Sequence, residues 1–117
     1  MQKMIESYGQ NISVRLEDQF GEIIEQSDLN FVDLTLCFRG MDVDYFFSNF
    51  AWLSTIDPYG HTVYNYLQIP RLISEFNRLR LEADNSQATK ANQIIDQWIS
   101  LLGRAIDERY LVHFIGD

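Results

Sequence analysis

One cysteine, two histidines and two prolines are all that 117 residues contain of these types, and only nine side chains are basic. A single cysteine, Cys37, closes no internal disulfide, so the fold must rest on packing, and a lone thiol suits a reducing compartment. No apolar run approaches the ~20 residues that span a bilayer. The first ten residues, MQKMIESYGQ, hold no apolar stretch of signal-peptide length. A cytoplasmic location is the expectation, and the Asn11-Ile12-Ser13 glycosylation triplet carries no weight beside it. Also missing are a phosphate-binding glycine loop, HExxH, CxxC and the G-x-S-x-G elbow. These absences argue against the common enzyme classes, and no cofactor is expected.

What is present is negative charge. Seventeen acidic side chains outnumber the basic ones, for a net charge of −8. Residues 1–57 hold three basic and ten acidic side chains, a net −7, whereas residues 58–117 carry −1. Such a chain repels phosphate backbones and anionic lipid, which excludes nucleic acid and membrane surfaces as expected partners and favours a basic protein. Solubility alone also explains acidity of this kind.

The hydrophobic pattern fits one α+β domain over residues 1–117. Ile12, Val14 and Leu16 alternate with polar residues, which predicts a strand over 11–17. Asp18 to Gly21 supplies a turn and 22–26 a returning strand. Residues 31–38 alternate again and predict a strand, although Leu29, Val32 and Leu36 also suit a helix. Over 42–50, Val43, Phe46, Phe47 and Phe50 favour a short helix, with Asp42 and Asp44 at its start, over an aromatic strand. Trp52 to Ile56 reads as a strand. Asp57-Pro58-Tyr59-Gly60 is a type I turn, in which Gly60 is expected to be required because a side chain would strain φ or crowd the return strand. A strand over 61–66 follows. Ile69, Leu72, Ile73, Phe76 and Leu79 recur at helical spacing and predict a helix over 70–82. A second helix spans 87–106, with Gly103 weakening its last turn, and 110–115 reads as a central strand buried on both faces. An antiparallel or mixed sheet with a two-helix hairpin packed on one face is the simplest architecture.

Candidate chemistry is sparse. Cys37 with His61 or His113 would make a nucleophile and base, but its apolar neighbours mark it as a buried structural thiol. His61, His113 and Asp57 would offer three zinc ligands, yet their spacing demands no site, and no metal is expected. Asp42-Val43-Asp44 lacks the nucleotide-binding context of a metal-binding D-x-D. Two surfaces remain. One is partner-binding: Glu17, Asp18, Glu22, Glu25, Asp42 and Asp44 as steering acids, with Tyr45 as an aromatic anchor beside them. The other is a pocket near the turn, lined by Asp57, Tyr59, His61, Asn65 and Gln68.

Residues 57–70, DPYGHTVYNYLQIP, with the closing YLVHFIGD, resemble a group of small uncharacterised bacterial proteins that share a D-P-Y-G-x-T-V-[FY]-N-x-x-Q-x-P segment. Asp57, Pro58, Tyr59, Gly60, Thr62, Val63, Tyr64, Asn65, Gln68 and Pro70 carry the resemblance. It covers about half the chain, from Trp52 onwards, and implies a helical hairpin followed by a final strand. In size and acidity the chain is also generally similar to immunity proteins of bacterial toxin systems. The expectation is a non-catalytic protein-binding module, immunity-like or inhibitory, facing a basic protein partner. The alternative is a small-ligand-binding protein or enzyme using the 57–68 pocket.

Overall fold

The computed structural model describes residues 12–29, 31, 41–82 and 88–116. Within them the class is α+β. Strands β1 (Ser13–Glu17), β2 (Ile23–Ser27), β3 (His61–Tyr64) and β4 (Leu111–Ile115) form one sheet in the order β2-β1-β4-β3, and each adjacent pair is antiparallel. The helices among the described residues are α1 (Val43–Asn49), α2 (Ile69–Glu82) and α3 (Ala88–Glu108). No helix among those residues is long and apolar enough to cross a membrane.

Period-two alternation sorts the sheet residues onto two faces. Val14, Leu16, Tyr64, Val112 and Phe114 are buried on the inner face. Arg15, Glu17, His61, Val63 and His113 share the outer one, as the pairings Arg15 with His113 and Val63 with His113 require. The apolar run at 111–115 does form a central strand, between β1 and β3. Trp98 of α3 lies nearly parallel to both Phe76 of α2 and Phe114 of β4, with centroids 6.0 and 5.9 Å away, and Phe31 meets Trp98 edge-on at 5.7 Å. These four rings are the centre of the core.

The helix expected over 42–50 is α1. Asp42 is its N-cap, accepting the Tyr45 amide at 3.0 Å, and Phe46 and Phe50 bury beneath it. The strand expected at 52–56 is absent: Leu53–Thr55 is a single 3-10 turn. Its side chains bond their own backbone, Ser54 Oγ to the Ala51 carbonyl and Thr55 Oγ1 to the Trp52 carbonyl, which competes with a sheet ladder. Glu75, buried in α2, accepts the Trp52 and Leu53 amides at 3.0 and 2.8 Å and fixes that turn against the helix. Of the strand expected over 31–38, residues 32–38 lie outside the described residues, and Cys37 with them. Gly103 does not shorten α3. The helix continues to Glu108 and ends where Arg109 turns left-handed (φ 58°), with the Tyr110 amide bonded to the Ala105 carbonyl.

The Asp57–Gly60 turn forms as expected, with the Tyr59 amide bonded to Asp57 Oδ1 at 2.9 Å and the Gly60 amide directed to the Asp57 carbonyl at 3.4 Å. The role given to Gly60 changes. Its φ is not in the left-handed region, and a Cβ there would meet only the movable Asp57 carboxylate, 2.6 Å from Oδ2. The glycine that permits a close approach is Gly116. A Cβ on it would lie 2.3 Å from the Pro58 carbonyl carbon and oxygen, both backbone atoms. The Gly116 amide also donates to the Gly60 carbonyl at 2.7 Å, tying the end of β4 to the turn. Gly116→Ala should therefore destabilise the fold by roughly 1–3 kcal/mol, and Gly60→Ala by less, in urea denaturation of both variants. A larger loss at Gly60 would refute the assignment.

Candidate functional site

The tip of the β1–β2 hairpin is built by Asp18. Its Oδ1 accepts the Phe20 and Glu22 amides, each at 2.9 Å, and Gly21 supplies the left-handed residue (φ 85°) that closes the turn. This local bonding directs Phe20 away from the protein, where it is 95% exposed. Beyond the turn the pairing slips: Leu16 faces Glu25 but Glu17 faces Ile23. The bulge leaves Ile24 as an extra residue, and Ile23 and Ile24 are both about half exposed. Three exposed apolar side chains thus lie among Asp18, Glu22 and Glu25.

β2 is an edge strand, and no described residue pairs with its far side. Between it and α3 runs a groove. The Glu25 carboxylate reaches across and accepts both Nη atoms of Arg104, at 2.8 and 3.3 Å. On one side of this bridge is a cavity of about 460 Å³ with Ser27, Asp28, Leu29, Asp96 and Leu101 in its wall. On the other is one of about 530 Å³ with Leu16, Ile24, Asp107, Glu108 and Tyr110. Asp96 to Glu108 spans twelve helical rises, about 18 Å. The groove walls carry five carboxylates (Glu25, Asp28, Asp96, Asp107, Glu108), of which Glu25 is paired with Arg104 and Asp96 with Arg80, the latter at 2.6 Å.

The predicted partner-binding residues do not form one patch. Glu17 is only 5% exposed and cannot steer an encounter. It was expected on the surface because it alternates with Val14 and Leu16, but the outer face of β1 is covered at that point. Asp18, Glu22 and Glu25 surround the hairpin. Asp42, Asp44 and Tyr45 belong to α1, where the Tyr45 hydroxyl donates to Glu82 Oε1 at 2.5 Å. Glu82 is the last residue of α2 and Ile69 the first, about 20 Å apart along the axis. Ile69 follows closely on Tyr64, which pairs with Val112 at the end of the sheet where Glu17 pairs with Leu111. The two acidic groups therefore lie towards opposite ends of α2. Phe20 was missed because it was read only as a turn residue; the mark that could have found it is a large apolar side chain inside a tight Asp-x-x-Gly turn.

The predicted 57–68 pocket is not assembled. Asn65 and Gln68 form a capping box for α2: Asn65 Oδ1 accepts the Leu67 and Gln68 amides, and Gln68 Oε1 accepts the Asn65 amide at 2.9 Å. Asp57 is taken up by its own turn, and Tyr59 is 83% exposed. His61 points elsewhere, to His113 on the neighbouring strand.

That contact belongs to a chain of four side chains on the outer sheet face. Arg15 Nε–H donates to Glu17 Oε2, and the same oxygen lies 2.7 Å from His113 Nδ1. His113 Nε2 lies 2.8 Å from His61 Nδ1. Burial alone would push the Glu17 carboxyl up. The hydrogen bonds from His113 and Arg15, together with their charge, outweigh it and hold the carboxyl below its ordinary range. An ionised carboxylate only accepts, so His113 donates from Nδ1 and, when neutral, accepts at Nε2. His61 then donates from Nδ1 and presents an unprotonated Nε2. The rings face one another through a proton instead of converging on an ion. No group of three His, Cys, Asp or Glu among the described residues is arranged to hold a metal.

The chain matches no family model, no curated protein and no solved structure.

A carboxyl held low in the folded state adds stability above its unfolded value, about 4.3 for Glu, and that stability is lost as pH falls through the folded value. Glu17→Gln should therefore be less stable than wild type at neutral pH by roughly 1–3 kcal/mol. The gap should narrow at an acidic pH below that unfolded value, as the folded carboxyl begins to take up its proton. Urea midpoints at the two pH values measure it, and a gap of constant size would contradict the ion-pair account.

Proposed function

We propose that this chain is a non-catalytic protein-binding module, of the inhibitor or immunity-like kind, that presents the β1–β2 hairpin and the groove beside β2 to a basic protein partner. The observation that carries the reading is Phe20, almost fully exposed on a turn whose hydrogen bonds hold it there, at the tip of the hairpin whose second strand, β2, walls a groove lined with carboxylates. A large aromatic side chain in water gains most from being covered by another surface. Ile23 and Ile24 extend the apolar contact. Glu22, Asp107 and Glu108 supply the field that selects and accelerates a cationic partner. The groove is open to solvent, which suits a protein segment better than an enclosed small molecule.

This reading takes the two long helices as a hairpin covering the inner sheet face, with α3 overhanging β2. It places the partner in the cytoplasm. It also moves the interface expected from the sequence: Asp42, Asp44 and Tyr45 drop out, and Phe20, Ile23 and Ile24 replace them.

Capture from a cytoplasmic extract separates the possibilities. Immobilised wild type, Phe20→Ser/Glu22→Lys, Asp42→Lys/Asp44→Lys and His61→Ala are compared at low and high salt. The expected result is a basic protein retained by wild type, lost from the hairpin variant and released as salt screens charges beyond about 10 Å. Its loss from the α1 variant alone would move the interface to the other end of α2. Its loss from the His61 variant alone would replace this reading with a site at the turn.

A further inference from the structure

The Glu17–His113–His61 chain lies outside the proposed interface, and the geometry points to a second property. We infer that the His61–His113 hydrogen bond is a proton-operated clasp that holds the start of β3 onto β4 and releases it when both imidazoles are protonated.

Glu17 keeps a proton on His113 Nδ1, at 2.7 Å. With both rings neutral, His61 Nδ1–H donates to His113 Nε2 across 2.8 Å. One added proton leaves the bond intact, because one ring still offers a lone pair to the other. A second added proton removes the last lone pair. Two donors and two positive charges then face each other with ring centroids 4.9 Å apart. Other charged groups shape this response. Arg15 and Glu17 face the pair from β1, with Arg15 paired to Glu17, and the Asp57 carboxylate lies in the adjoining turn, bonded to the Tyr59 amide. Glu17 is the carboxylate that the contacts place directly on the pair, and it touches only His113.

What the clasp holds is a weakly built element. β3 has four residues and pairs with β4 alone among the described strands. Its far end is anchored independently: the Tyr64 hydroxyl donates to the Trp52 carbonyl at 2.7 Å, and the ring packs edge-on against Phe114. The His61 end has the Gly116–Gly60 bond and the Asp57 amide bonded to Thr62 Oγ1 at 2.9 Å. Loss of the clasp should thus fray β3 from His61 and free the Asp57–Gly60 turn, with Tyr64 as the fixed point.

Amide hydrogen exchange, corrected for intrinsic rates, tests this between about pH 7.5 and pH 5, the interval in which histidines change charge. In wild type the protection of Thr62, Phe114 and Gly116, whose amides lie on the β3–β4 seam, should fall about tenfold at the lower pH, the equivalent of one hydrogen bond, while Val14 and His113, whose amides face away from that seam, keep theirs. In His61→Asn, whose amide can donate to His113 without titrating, that difference should vanish. Equal protection at both pH values in wild type, or an equal fall in the variant, would overturn the inference. Ring-nitrogen NMR at the higher pH adds a check that needs no variant: both histidines should carry the proton on Nδ1, and a proton on His61 Nε2 would rule out the clasp.

Discussion

Trp98 lies flat between Phe76 and Phe114, and much of the molecule follows from that stack. It joins α2, α3 and β4 through three large rings buried to within a few per cent of complete. Each such side chain removes on the order of 150–250 Å² from water, so these contacts outweigh any single polar one. Phe114 must point inward to take part. A strand alternates, so Val112 points inward with it and His113 between them points outward. The aromatic core thereby decides on which face the only histidine of β4 appears. Once β4 lies between β1 and β3, the same parity brings Glu17 to one side of that histidine and His61 to the other.

The parts of this fold governed by local rules were legible in the sequence. The helical period of Ile69 to Leu79, the Asp57–Gly60 turn and the run at 110–115, apolar at almost every position, each specify their element without help from elsewhere. Asp42 before Val43 was enough to suggest the short helix. Failures came where side chains or distant segments intervene. Trp52–Ile56 has strand-like composition, but Ser54, Thr55 and the remote Glu75 satisfy its backbone as a turn. Gly60 ends a turn motif, whereas Gly116 matters because the end of β4 passes over that turn, a fact of tertiary packing. Of the candidate site, acids and aromatics were legible in the sequence as residue types, whereas the bulge and the capping aspartate that leave Phe20, Ile23 and Ile24 exposed were not. Glu17 and His113 are 96 residues apart, and no periodicity relates them.

A net charge of −8 suggests a uniformly acidic surface, and the contacts divide it instead. Glu75 caps a turn from inside the core, Asp18 and Asp42 cap backbone amides, and Glu17 accepts from two cations or potential cations. These carboxylates are structural, and their negative charge is largely answered by N–H groups a few ångströms away. Among the described residues, the groove beside β2 gathers Asp28 with Asp96, Asp107 and Glu108 of α3. A count along the chain places the excess before residue 57. In space, part of it comes from Asp107 and Glu108, which the fold returns to the hairpin.

The sheet order has a consequence for how this chain is made. β1 and β2 appear early, but a two-stranded hairpin is marginal in water by itself. Its inner neighbour, β4, is separated from it by more than 80 residues of intervening chain. During synthesis the hairpin must wait, with Val14 and Leu16 uncovered, until residue 115 has left the ribosome. Closing so long a loop slows folding more than it weakens the product. The two long helices can form earlier from local contacts, and Trp98 can meet Phe76 before β4 arrives. The nascent chain is therefore most exposed to aggregation in its first strands, and β4 completes folding by filling the vacant centre of a sheet whose edges already exist.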